Sequence, residues 1–152
     1  MNTSVEALGW TVRWFNRQGY DTRMLTLKGG HGLPGLHQGR TFPVILLEQE
    51  GRPRGIVVVK FKRDGAVVFH KTGERTTGWD ADLHRAFLYL DTEGLPVIVN
   101  FVHLGDGEAR MSRIRDLPIA NTWEPPRGHF GTGSHFVRWE ELPLRVPLET
   151  PA

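Results

Sequence analysis

The run Ile56-Val57-Val58-Val59 constrains this chain more than any other stretch. Four consecutive β-branched residues favour a strand. None of the four is polar, so neither face of that strand can meet water without loss, and the pattern predicts a central strand covered on both sides. It continues to Arg63. The stretch PVIVNFVHL at 96–104 reads as a second strand with an apolar core. Between them Leu83, Ala86, Phe87 and Leu90 fall on one helical stripe, with Thr77 or Asp80 as the cap and Gly94 as the stop. A strand, a helix and a strand joined by a long crossover predict a parallel pair.

The flanking segments complete the pattern. Thr3 or Ser4 caps a first helix whose apolar face is Val5, Leu8, Val12 and Phe15, and Gly19 ends it. Tyr20–Leu27 is a short extended piece. Residues 28–40, KGGHGLPGLHQGR, form a Gly-rich loop, and loops of that length usually serve function or move. Thr41–Glu50 is a strand and GRPRG (51–55) a turn. Asp64-Gly65 is a hairpin signal leading to a strand at Ala66–Lys71, and Thr72–Gly78 is a loop. Ala109–Arg115 follows the GDGE turn. Residues 118–135 read as irregular, and His135–Trp139 as a last short strand. Strands 41–50, 56–63 and 66–71 are thus expected to form an antiparallel meander. The expectation is one α/β domain over residues 1–152, a mixed central sheet flanked by helices.

Charge sharpens the functional question. The net charge of +2 conceals a split. Residues 1–76 hold twelve Lys and Arg against six Asp and Glu, and residues 77–152 hold seven against eleven. Arg outnumbers Lys, and its guanidinium fork suits phosphate, so a nucleic-acid partner is weighed from the outset. Cys is absent. That excludes disulfides, thiolate zinc and cysteine nucleophiles and fits a reducing, cytoplasmic setting. No apolar run approaches ~18 residues, and the first residues lack a basic start followed by an apolar stretch. No membrane association is therefore expected.

The order of elements, αβββαβ, together with TFPVILLEQEGRPRGIVVVKFK and LHRAFLYLDTEGLPVIVNFVH, resembles the PD-(D/E)XK nuclease superfamily, nearest to the RecU-type Holliday junction resolvases. The resemblance covers roughly residues 41–104 and implies a restriction-endonuclease-like core. In that family an Asp on one strand and Glu-x-Lys on the next bind Mg²⁺ and activate water. Lys60 stands where the family has its Lys. Val58 and Pro43 stand where it has the metal-binding carboxylates, and neither supplies the oxygen ligands that Mg²⁺ requires. Glu6 matches an acid on the first helix, and His84 stands about where a helix Gln would be. The resemblance therefore implies a degenerate site unless displaced carboxylates rebuild it. Glu48, Glu50 and Asp64 are the candidates for metal, and Lys60, Glu48 and Glu6 for catalysis. The family's enzymes are dimers, and Trp10 with Trp14 is the candidate face.

Other chemistries find less in the sequence. The seven His residues form no HExxH, and five lie in expected loops or strand ends. GGHGLPG lacks the GK[ST] ending of a phosphate loop, and no GxSxG elbow is present. Trp79 and Trp123 are expected in loops, where they fill core or stack on unpaired bases. The leading expectation is a nucleic-acid-binding domain of nuclease fold acting on branched DNA. Its phosphate contacts would be Arg40, Arg52, Arg54, Lys60, Lys62, Arg63 and Lys71, with His84 beside them. Mg²⁺ enters only if the domain cleaves as a phosphodiester hydrolase. The alternative is a catalytically inactive, protein-binding regulator of a nucleic-acid machine.

Overall fold

The computed structural model describes residues 1–30, Leu33, Leu36 and residues 39–69, 72–126 and 133–149. Two helices and ten strands are described. They run in the order α1 (Ser4–Arg17), β1 (Asp21–Lys28), β2 (Thr41–Gln49), β3 (Arg52–Lys62), β4 (Val67–Val68), β5 (Arg75–Asp80), α2 (Ala81–Thr92), β6 (Val97–His103), β7 (Glu108–Arg113), β8 (Ile119–Trp123), β9 (Ser134–Arg138) and β10 (Leu144–Pro147). A mixed six-stranded sheet has the order β1-β2-β3-β6-β7-β10, and a four-stranded sheet the order β4-β5-β9-β8.

The expected parallel pair is present. β3 and β6 run parallel from Ile56↔Val97 to Lys62↔His103, and the remaining ladders are antiparallel. β3 alternates cleanly. Ile56 and Val58 enter the core beneath α2 and the four-stranded sheet, and Val57 enters the core beneath α1. Gly55 fits its place because an added Cβ would stand 2.9 Å from the Pro96 carbonyl oxygen.

Both helices begin on caps. The Thr3 hydroxyl accepts from the Glu6 amide (3.2 Å), and the Glu6 carboxylate accepts from the amide of Asn2, one residue before the cap (3.0 Å), a variant of the capping box. Asp80 caps α2 by accepting from the amides of Asp82 and Leu83. The buried face of α1 is rotated from the expected stripe. Ala7, Trp10, Thr11 and Phe15 face the sheet, while Val5 is 74% exposed. Thr11 explains part of the rotation: its hydroxyl donates to the Ala7 carbonyl (2.8 Å) and accepts from Asn100 on β6 (3.0 Å).

The meander differs from expectation. Its first strand is β1, which pairs with β2 from Asp21↔Glu48 to Lys28↔Thr41. The segment after Asp64-Gly65 leaves the large sheet, and Val67–Val68 pairs with β5 in the small one. The cause is a close backbone approach. A Cβ on Gly105 would lie 2.6 Å from the Asp64 carbonyl carbon. The Ala66 amide also donates to Asp106 (2.7 Å) rather than to a hairpin partner. The β2–β3 turn is tighter than expected. Glu50 (φ 53°) and Gly51 (φ 74°) form a two-residue turn closed by Gln49↔Arg52. The expected loop at 72–78 gives way to β5 from Arg75, and the expected irregular stretch contains β8. Among the described residues no helix is long and apolar enough to cross a membrane.

Candidate functional site

The expected metal and catalytic residues do not converge. Glu48 lies opposite Pro53 at the start of β3. That places it seven residues, or about 23 Å, from the level of Lys60. Its carboxylate pairs with Arg23 (3.2 Å). Glu50 is at the exposed turn beyond it. Asp64 lies past the other end of β3, where its carbonyl accepts from the Gly105 amide (3.2 Å). Glu6 is occupied in the α1 capping box and lies 3.5 Å from the chain-terminal amine. From its position directly after Ile56–Val59, Lys60 is expected to be partly buried and to need a partner. It is exposed and has no ion pair among the described residues, because it follows Val58 past the edge of the core. Val58 itself is fully buried in that core. Among the described residues no three His, Asp or Glu side chains are grouped as metal ligands.

The expected phosphate contacts divide into two sets. Arg40 is drawn to Asp80 at 3.7 Å. Arg52, Arg54, Lys60 and Arg63 are exposed and Lys62 is half-buried. None of these five has a carboxylate partner among the described residues; Arg63 reaches only the Asn2 carbonyl (3.4 Å). Lys71, and with it His31, His37, His70 and His129, lies outside the described residues. The acidic half behaves differently. Every described Arg after residue 77 pairs with a carboxylate: Arg85, Arg110, Arg113, Arg115, Arg138 and Arg145. Unpaired positive charge therefore concentrates along β3.

The densest polar constellation is one the sequence reading missed. His103, at the end of β6 and beside Lys62 in the ladder, is fully buried. Its Nε2 meets the Thr77 hydroxyl (2.9 Å) and its Nδ1 meets Asp106 (2.9 Å). Asp106 also accepts from Arg75 (2.8 Å), and Arg75 continues to Glu140 (2.7 Å). The Trp139 ring stacks on His103 at 4.0 Å and 11°, and its Nε1 donates to Glu108 (3.2 Å). Glu108 also receives Arg110 (2.8 Å) and Arg145. The order Thr, His, Asp has the connectivity of a nucleophile triad. Thr77 is buried as well, 2% exposed. The network thus joins the two sheets rather than presenting a nucleophile. Its sequence signal was only the pair His103 and Asp106 flanking a turn, and no local rule couples that turn to Thr77 or Trp139.

His84 faces a pocket of about 470 Å³ lined also by Arg85, Leu88, Thr122, Glu124 and His135. The two imidazoles stand edge to face at 4.8 Å. The Trp79 indole donates to His84 Nδ1 (3.2 Å). The neutral ring therefore carries its proton on Nε2 and offers no lone pair there to a metal. Burial and, after it, the neighbouring His135 push His84 down to about 4. His84 is thus a neutral, half-buried group whose Nε2–H remains a donor. His103 is also lowered, by burial first, against the pull of Asp106.

These depressed imidazoles predict acid sensitivity. A His that is neutral in the fold and protonated when unfolded contributes stability above its unfolded value, near 6.5. That contribution is lost as pH falls toward the folded value. Between pH 6.5 and about 4 the His84 contribution should fall by about 2 kcal/mol after allowance for its partial exposure. Urea unfolding at stepped pH should show this drop, and His84→Gln, which retains an acceptor for Trp79, should flatten it. An unchanged slope in that variant would refute the assignment.

Trp10 and Trp14, the candidate dimer face, separate in the structure. Trp10 is buried against the sheet. Trp14 lines an apolar cleft of about 570 Å³ with Phe15, Tyr20, Ile98, Met111 and Leu144.

Compared with known proteins, the chain matches no family model, no curated protein and no solved structure. What defines its class is therefore the α/β architecture itself, with a mixed six-stranded sheet between one helix and a second layer.

Proposed function

We propose that this chain is a nucleic-acid-binding domain that holds DNA through the cations of β3, with branched DNA as the favoured form. One observation carries the reading: the cations of β3 and its flank lack carboxylate partners among the described residues, whereas the described arginines of the second half are neutralised. Arg52 and Arg54 stand at one end of β3, and Lys60, Lys62 and Arg63 at the other. The ten residue steps from Arg52 to Lys62 span about 33 Å, close to one turn of duplex, about 34 Å. The reading assigns no cleavage step to Glu6, Glu48, Glu50, Asp64 and Lys60, because those side chains are dispersed. The resemblance to a nuclease core that has lost its metal carboxylates is in keeping with binding alone.

A second reading, a protein-binding regulator, rests on the apolar cleft beside α1. Anisotropy with a labelled four-way junction and a duplex at ~50 mM salt separates the two. The wild type should bind both, the junction more tightly. Replacing Lys60 and Lys62 together with Ala should make the slope of log K against log salt shallower by about 2. Absence of binding to either DNA under these conditions would sink the nucleic-acid reading.

A further inference from the structure

We infer that the outer face of the four-stranded sheet is a stacking platform for unpaired bases, so that the DNA held by this domain includes a single-stranded segment. The inference rests on the nucleic-acid reading above and adds the form of the substrate.

Alternation along the strands defines the face. Thr77, Trp79 and Val137 are buried, and Trp79 and Val137 join the shared core. Their neighbours Thr76, Gly78 and Phe136 therefore point the other way. The ladder aligns Gly78 with Phe136 and Phe136 with Asn121. Trp123 lies two residues further along β8 on the same side and is 46% exposed. The expected loop position of Trp123 is thus corrected to a strand, while Trp79 belongs to the core.

The Phe69 and Phe136 rings are half-buried. The Phe69 ring stands 6.4 Å from Phe136, tilted by 33°. Two hollows share Phe69, Thr76 and Phe136. The larger, about 350 Å³, is bounded by Lys62, Val67, Val68 and Gly78. The smaller, about 170 Å³, is bounded by Thr72, Glu74, Asn121 and Arg138. Nothing lies within 4 Å of where a Gly78 Cβ would stand. The missing side chain leaves Phe136 approachable from its flank.

Charge decides the occupant and its orientation. Lys62 lines the larger hollow and has no carboxylate partner among the described residues, and Lys60 and Arg63 are close to it in sequence on the same strand end. The opposite side carries Glu74, Glu140 and Glu141 around Arg75 and Arg138. A polyanion is thus drawn to the Lys62 side and repelled from the other. A strand with its phosphates along Lys62 would lay its bases over Phe136. Base stacking on an aromatic side chain is sequence-tolerant because every base has a π-face. Duplex DNA keeps its bases stacked on one another and would meet only the cations.

The test uses the full chain, a labelled oligo-dT of about twenty nucleotides and a duplex of the same length, by anisotropy at ~50 mM salt. Phe136→Ala should weaken oligo-dT binding roughly tenfold or more and leave duplex binding essentially unchanged. Gly78→Val, a β-branched residue suited to a strand, should obstruct the flank with the same selectivity. It provides the readout if Phe136→Ala melts early. Unchanged oligo-dT binding in folded Phe136→Ala or Gly78→Val would overturn the platform. If Lys60→Ala with Lys62→Ala still weakened both DNAs, the nucleic-acid reading would stand without it. No binding of either DNA by the wild type would overturn both.

Discussion

Trp139→Ala should lower the unfolding free energy by about 4 kcal/mol, the largest single-site loss expected here. Trp139 is fully buried. Its ring covers His103, and the Arg110 guanidinium lies over it at 5.1 Å. Its indole N–H supplies Glu108 and its carbonyl accepts from Arg110 (3.2 Å). Truncation opens a cavity and removes one of three donors from a buried carboxylate at the same time. Trp139→Phe keeps an aromatic ring but loses the donor and part of the buried ring volume, so it should cost less than Ala, about 2–3 kcal/mol. Urea titrations should show a reduced midpoint with little change in slope. A Trp139→Ala loss below about 1 kcal/mol would mean that the two sheets are not joined through this ring.

Asp91→Ala should cost about 3 kcal/mol. Asp91 is a buried carboxylate in the last turn of α2, where the helix dipole disfavours negative charge. It is held by Arg113 (3.0 and 3.1 Å) and Arg115 (2.9 Å), and it accepts from the Val97 amide (3.0 Å). Burial pushes this carboxyl up, but the Arg113, Val97 and Arg115 bonds outweigh it and hold it below its ordinary value. The cost stays moderate because both arginines are partly exposed and can turn to water. Asp91→Asn keeps an acceptor for Val97 and should cost less than Ala. Since Val97 opens β6, the bond fixes where the α2 crossover delivers the strand that pairs with β3. Equal stability of Asp91→Ala and wild type at pH 7 would refute that role. The wild-type advantage should fade as pH drops below the unfolded carboxyl value of about 3.9, toward the depressed folded one.

The two helices were legible because their signals are local. Thr3 with Glu6, Asp80 at α2 and the glycines at 19 and 94 act within a turn or two of chain. The buried character of β3 was legible too, since IVVV has no polar face to offer water. The meander was misread because β1 is an edge strand of mostly exposed and half-buried residues, with little apolar alternation to announce it. Asp64-Gly65 carries a hairpin signal, but contact with Gly105 and Asp106, forty residues away, redirects the chain. Local turn propensity yields when a distant carboxylate supplies the hydrogen bond.

The candidate site divides in the same way. Sequence alone determined the helices, the central apolar strand, the parallel β3–β6 pair and the surplus of cations in the first half. Periodicity, capping and composition fix each of these over short stretches of chain. The tertiary structure decided which cations remain unpaired, that Glu48 and Asp64 stand at opposite ends of β3, and that His103 meets Thr77 and Trp139. It also decided that Phe136, Gly78 and Trp123 share one face of a second sheet. These juxtapositions arise from strand pairing between distant segments. Each depends on register and on which face meets the core, and no local spacing encodes either.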